Sequence, residues 1–107
     1  MGRAMVPTGV AIQLPGPEYV ALVCARSGLA IKRGLTLSNG VGVVDSDYRG
    51  EMQVGLVNLG PETYTIQPGE RIAQLMILPV AQAAFRQAET LDGTERGEGG
   101  FGSTGRL

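Results

Sequence analysis

Leu35-Thr-Leu-Ser-Asn-Gly-Val-Gly-Val-Val44 is the stretch on which the fold turns. Two short Leu- and Val-rich runs flank Ser38-Asn39-Gly40, and Asn-Gly between apolar runs is a strong hairpin signal because both residues tolerate positive φ. The sequence therefore predicts strands over 35–37 and 41–44 joined by a tight turn at Asn39. Working upstream, Tyr19-Val-Ala-Leu-Val-Cys24 is apolar on both faces, so a strand there must be covered on each side by a second sheet or a neighbouring subunit. Val10, Ile12 and Leu14 alternate with Ala11 and Gln13 and stop at Pro15-Gly16-Pro17, which predicts another strand ended by a Pro/Gly turn. Downstream, the turn Asp45-Ser-Asp-Tyr-Arg-Gly50 leads into 51–59, where Met52, Val54 and Leu56 share one face. Pro68-Gly69 suits the centre of a type II turn, and 72–78 is the last strongly apolar strand. Short apolar segments so closely punctuated by glycine and proline are the pattern of an all-β sandwich or barrel. One segment conflicts: for Ala81-Gln-Ala-Ala-Phe-Arg-Gln-Ala-Glu89 intrinsic propensity favours a helix, its surroundings a strand, and both stay open.

Composition narrows the chemistry. The chain has 107 residues and a mass of 11.2 kDa, about one small domain, and its 17 glycines are roughly twice the usual share. With no histidine and one cysteine, a Ser-His-Asp triad, a Cys-His dyad, a His-ligated zinc and an internal disulfide are excluded. Any reaction must run on carboxylates, arginines, hydroxyls and backbone. A net charge of -1 with nine dispersed Lys and Arg offers no basic footprint, so nucleic acid is not an expected partner. The longest apolar run, 19–25, is far short of the ~20 residues of a membrane span, and the opening residues form no signal-peptide core. A chain of this kind is expected to be soluble, reduced and cytoplasmic, without a membrane partner.

From Thr90 onward Leu91, Phe101 and Leu107 are the only large apolar side chains among many glycines. Such a tail cannot bury enough surface to order itself. The expected organisation is a β domain over 1–89 and a Gly-rich arm over 90–107 that is mobile unless it docks. Arg96, Phe101, Ser103 and Thr104 suit a nucleotide: a guanidinium fork and hydroxyls for phosphate, a ring for stacking, unhindered N–H groups throughout. A plain linker is the alternative reading of the same composition. Arg26-Ser27-Gly28 follows the buried strand where the chain enters one helical turn, whose amides welcome an anion; an ordinary Ser-Gly turn is the alternative. Asp45 and Asp47 could activate water, bind a cation or cap turn N–H groups. Tyr48 suits a core or interface ring, Gln74 is an amide that needs a partner within an apolar strand, and Cys24 is a small hydrophobe.

In order along the chain these segments resemble the trimeric deoxyuridine triphosphate nucleotidohydrolases, the dUTPases. Val6-Pro-Thr-Gly-Val-Ala-Ile12 is similar to the family's strand before its second motif. Ala25-Arg-Ser-Gly-Leu-Ala30 is similar to the second motif, where proline is commoner than Ala25. Asn39-Gly-Val-Gly-Val-Val-Asp-Ser-Asp-Tyr-Arg-Gly50 resembles the third, Gly69-Glu-Arg-Ile-Ala-Gln-Leu75 the fourth, and the stretch from Arg96 to Gly105 the fifth. The first motif, acidic and glycine-containing with a tyrosine, normally lies a few dozen residues before Val-Pro-Thr-Gly, where only Met1 to Met5 stand; the resemblance implies a late start or an N-terminal truncation.

The resemblance implies a jelly-roll-like β fold and a homotrimer with exchanged C-terminal arms. Its sites lie at subunit boundaries: motifs two and four come from one chain, the third from a neighbour and the fifth from the remaining chain. The implied activity is hydrolysis of dUTP to dUMP and diphosphate, which limits uracil incorporation into DNA and supplies dUMP for thymidylate synthesis. By the same resemblance Asp45 deprotonates the attacking water and Arg26, Ser27 and Gly28 hold the phosphates. Asn39 with the backbone at Val43 and Val44 reads uracil, Tyr48 packs under the deoxyribose, and Gln74 touches the sugar-phosphate region. Arg96, Phe101, Ser103 and Thr104 close over the nucleotide. Mg²⁺ is held mainly by substrate phosphates, with no metal ligand from the protein. A catalytically weakened nucleotide-binding or regulatory module and a dCTP deaminase relative are the alternatives, the latter opposed by the arm and the Arg-Ser-Gly string.

Overall fold

The structure, a computed structural model, describes residues 1–102. Among them the elements are β1 (Arg3–Pro7), β2 (Tyr19–Ala25), α1 (Ser27–Arg33), β3 (Leu35–Leu37), β4 (Gly42–Val44), β5 (Gln53–Asn58) and β6 (Ala73–Pro79). They form two three-stranded antiparallel sheets, β1-β5-β3 and β4-β2-β6. The all-β expectation is met, with α1 as the one short helix.

The alternation around Met52 explains the first sheet. Met52, Val54 and Leu56 are buried on one face of the β5 region, and Leu35 and Leu37 of β3 join them. Val23 of β2 closes the cluster from the second sheet, so the two sheets meet through one thin layer of Val and Leu. Removing such apolar area from water contributes about 25 cal/mol per Å². β2 is the centre of its own sheet, and its two apolar faces fare differently. Ala21 and Val23 are buried, Val23 against the first sheet, while Val20, Leu22 and Cys24 are only partly covered.

α1 begins where β2 ends. Arg26 takes an extended N-cap conformation without a side-chain cap, and Lys32 and Arg33 place positive charge in the last turn, where it favours the helix dipole. The helix stops at Gly34, whose φ of 77° is left-handed and whose N–H donates to the Ala30 carbonyl at 3.1 Å. The turn at 67–70 forms as expected, with the Glu70 N–H donating to the Gln67 carbonyl at 3.1 Å.

Three local expectations are corrected. β3 and β4 do not pair with each other: β3 lies beside β5 and β4 beside β2. The Asn-Gly turn therefore carries the chain from one sheet to the other, and the residue with positive φ is Gly40, at 76°, not Asn39. The 10–14 segment is no strand. Its side chains alternate as expected, with Ile12 partly buried and Leu14 buried, but its backbone follows the Thr8-Gly9 turn instead of a ladder. The strand of this region is β1, where Arg3 is the single polar residue and no polar/apolar alternation marks it. Residues 81–89 are neither helix nor strand. They are exposed throughout, and a helix this short has nothing to pack on.

The surface is unusually large for the mass. The chain exposes 8809 Å², about half as much again as the ~5,700 Å² of a compact monomer of this size. Its radius of gyration is 18.8 Å against about 13 Å for a compact domain. Much of the excess is apolar: Leu75, Met76, Ile77 and Leu78 on the edge strand β6 are all between 38% and 46% exposed. No helix among the described residues is long and apolar enough to cross a membrane.

Candidate functional site

Asn39, Val43, Val44, Asp45 and Tyr48 come together around one cavity of about 350 Å³, a size that admits a nucleoside. The cavity opens between the sheets, where the crossover turn and β4 pass over Val23 and Leu37. β4 is an edge strand bonded only to β2, so the outer side of its backbone has no ladder partner among the described residues. Asp45 follows β4 directly. Among the described residues nothing hydrogen-bonds or ion-pairs with its carboxylate, so the capping role open to a turn aspartate is not the one it plays. Tyr48 turns back over the chain: its N–H donates to the Asp45 carbonyl at 3.1 Å and its hydroxyl to the Glu51 carbonyl at 2.9 Å.

Glu51 also lines the cavity and is the residue that sequence reasoning missed. Its carboxylate accepts from the Gly9 N–H at 2.7 Å. Beside it the Thr8 hydroxyl donates to the Met52 carbonyl at 2.6 Å, and the Met52 N–H to the Val10 carbonyl at 2.8 Å. The Val-Pro-Thr-Gly turn thus clamps the chain immediately after Tyr48. No local signal could have found a pairing 42 residues apart.

Arg26, Ser27, Gly28 and Gln74 form a second group that does not line this cavity. β2 and β6 align Ala25 with Ala73, which carries the fourth-motif segment to the start of α1. The Gln74 side chain donates from Nε2 to the Ala25 carbonyl at 2.9 Å, and Arg26 from Nη1 to the Arg71 carbonyl at 2.7 Å. Gln74 is exposed and bonded to the neighbouring strand. Arg26, Ser27 and Gly28 are exposed as well.

Behind them lies a carboxylate clasp. The Tyr64 hydroxyl donates to Glu70, whose other oxygen accepts from the Gln67 N–H at 2.9 Å. The tyrosine bond, then the backbone bond, hold the Glu70 carboxyl below its ordinary 4.5, while the same bond raises the Tyr64 hydroxyl above its ordinary 10.0. A depressed carboxyl contributes stability that is present above its unfolded value and lost as pH falls through its folded one. Glu70→Gln should therefore lower the thermal midpoint slightly above pH ~5, and the difference should vanish in acid. Parallel melting curves from neutral to acid pH would contradict the clasp.

The arm makes its own contacts. Arg96 donates from Nε to the Gly99 carbonyl, and the Gly97 N–H donates to the Thr94 hydroxyl at 3.0 Å. Residues 81–98 are exposed throughout, and the Phe101 ring is fully exposed with a left-handed φ of 49°. Neither Arg96 nor Phe101 reaches the Asp45 cavity of its own chain. Ser103 and Thr104 lie outside the described residues. One chain therefore supplies three separate pieces: a cavity with a carboxylate, an arginine-bearing helix start and an arm.

Among the described residues no three acidic or cysteine side chains cluster so as to hold a metal ion. Those described side chains by themselves do not fit a resident metal cage.

Comparison with known proteins is consistent along the chain. The dUTPase family model matches residues 1–105. The deoxyuridine 5'-triphosphate nucleotidohydrolase of Neisseria gonorrhoeae (strain NCCP11945) is 55% identical over 101 residues, covering 94% of this chain and 67% of that protein. The enzyme of the same name from Salmonella typhimurium is 52% identical over 102 residues, covering 95% and 68%. Among solved structures, the Staphylococcus bacteriophage 80alpha dUTPase with dUPNHPP is 31% identical with a TM-score of 0.83, covering 98% of this chain and 77% of that one.

Proposed function

The chain belongs to the dUTPase family, and from that premise we propose how its residues divide the hydrolysis of dUTP to dUMP and diphosphate. The observation that carries the division is the Asp45 carboxylate, unpaired among the described residues at a nucleoside-sized cavity. Asp45 takes a proton from water as the water oxygen bonds to the α-phosphorus. The bond from that phosphorus to the α,β-bridging oxygen breaks, and diphosphate leaves. A positioned general base of this kind contributes about 10²–10⁴-fold.

The unpaired edge of β4 at Val43 and Val44, with the Asn39 amide, suits the donor and acceptor edge of uracil. A base with the wrong pattern would leave those groups unsatisfied, which is what gives polar readout its discrimination. Tyr48 is tied down by its hydroxyl and keeps a ring face for the deoxyribose. Arg26, Ser27 and Gly28 suit the phosphate chain, Gln74 the sugar-phosphate region beside them.

These groups complete one site only if chains assemble. The exposed apolar β6 and the excess surface support a homotrimer, in which an unpartnered apolar edge strand becomes interface. The arm, 90–107, would then lie over a neighbour's nucleotide, with Arg96, Ser103 and Thr104 toward phosphate and Phe101 over the base. Mg²⁺ would arrive on the triphosphate, where it would screen the phosphate charge. We place this chemistry in the cytoplasm, where a chain with a single cysteine needs no oxidising compartment.

The test is diphosphate release by the purified chain from dUTP with Mg²⁺, alongside UTP, dCTP and dTTP, with mass in solution measured in parallel. Selective turnover of dUTP by a trimer is expected. Stoichiometric nucleotide binding without turnover would point to a binding module instead, and ammonia release from dCTP to a deaminase.

A further inference from the structure

Tyr48 is held against the chain that follows it, and Gly50 makes this possible. A Cβ at Gly50 would stand 2.5 Å from the Tyr48 Oη, 2.7 Å from Cζ and 3.1 Å from Cε1, whereas non-bonded carbon contacts settle at about 3.5–4.0 Å. Tyr48 lines the cavity and Gly50 does not, so the glycine backs the ring from behind. The φ of Gly50 is not positive, so the backbone itself would accept alanine. The missing side chain serves the ring and not the turn.

We propose that Gly50 is a positioning residue that sets the depth of the sugar floor, because only a bare backbone lets the Tyr48 ring lie back far enough to admit the substrate's deoxyribose. The proposal rests on the reading that Tyr48 packs under the sugar. The hydroxyl tether to Glu51 limits how the ring can escape. A methyl group at Gly50 would drive it about 1 Å forward to restore ordinary contact, into the space the sugar needs. Displacements of that size at a binding surface cost up to about a hundredfold.

The experiment compares dUTP kinetics of the full chain, Gly50→Ala, Tyr48→Leu and the double variant, with melting curves for each. Gly50→Ala should raise KM for dUTP about tenfold or more, change kcat less, and move the melting midpoint by only a few degrees. In the Tyr48→Leu background, where no ring remains to be pushed, the same glycine change should leave KM within about twofold. Equal effects in both backgrounds or failure to fold in both would give Gly50 a purely backbone role, and no effect in either would give it none; each of these outcomes overturns the proposal. If Tyr48→Leu alone leaves both KM for dUTP and the preference over UTP unchanged, the sugar placement itself is wrong and the proposal falls with it.

Discussion

Asp45→Asn should lower kcat for dUTP hydrolysis by about 10³-fold while leaving nucleotide binding near the starting affinity. The substitution keeps the size and shape of the side chain and removes its ability to take a proton. The Asp45 carboxylate makes no hydrogen bond or ion pair among the described residues, so nothing structural depends on its charge and the fold should be untouched. A variant that melts like the parent, binds dUTP and releases diphosphate at a thousandth of the rate would establish the carboxylate as the base. Retained turnover would refute that role. Loss of binding in step with turnover would make Asp45 a ligand of the nucleotide instead.

The largest effect on stability is expected far from this carboxylate, at the end of α1. Gly34→Ala should cost about 3 kcal/mol or more, from two sources. A side chain at a left-handed φ costs about 1–2 kcal/mol, and Gly34 sits at φ 77°. The added Cβ would also stand 2.4 Å from the Gly60 nitrogen and 2.8 Å from its Cα. Both obstacles are backbone, so relief requires one strand of the chain to move, at about 1–3 kcal/mol. Gly60 mirrors the arrangement, since a Cβ there would meet the Arg33 carbonyl oxygen at 2.2 Å. Between the two glycines the Leu59 N–H donates to the Gly34 carbonyl at 2.8 Å, which ties the helix end to the chain leaving β5. For a domain with about 5–15 kcal/mol in total, the melting midpoint should fall by roughly 10–20 °C. Gly93→Ala is the control, because nothing lies within 4 Å of a Cβ there and its φ is unexceptional. Equal midpoints for the two variants would show that the contact yields easily.

Much of the fold was legible because its determinants are local. Met52, Val54 and Leu56 alternate in sequence and are buried together; the two-faced run 19–24 became the central strand of a sheet; Pro68-Gly69 formed its turn. The grouping of candidate residues at the cavity was legible for a different reason. Asp45, Tyr48 and the residues of β4 lie within one continuous segment, so their proximity at the cavity follows from the chain itself. The same locality misled at Asn39-Gly40. The turn was correctly found, but the sequence does not say which strands receive its two arms, and each arm found a partner in a different sheet. The free edge of β4 exists because of that crossover.

What the sequence by itself determined is the set of short apolar strands, the turns between them and the order of the motifs, because each depends on residues a few positions apart. What only the tertiary structure decided is which distant pieces meet. Glu51 reaches Gly9 across 42 residues and Arg26 reaches the Arg71 carbonyl across 45, while Gly50 gives way to a ring two residues earlier only because that ring is folded back. Such contacts are chosen by the packing of whole sheets, where burial of Val23 against Leu35, Leu37, Val54 and Leu56 outweighs any local preference, and no window along the chain contains that choice.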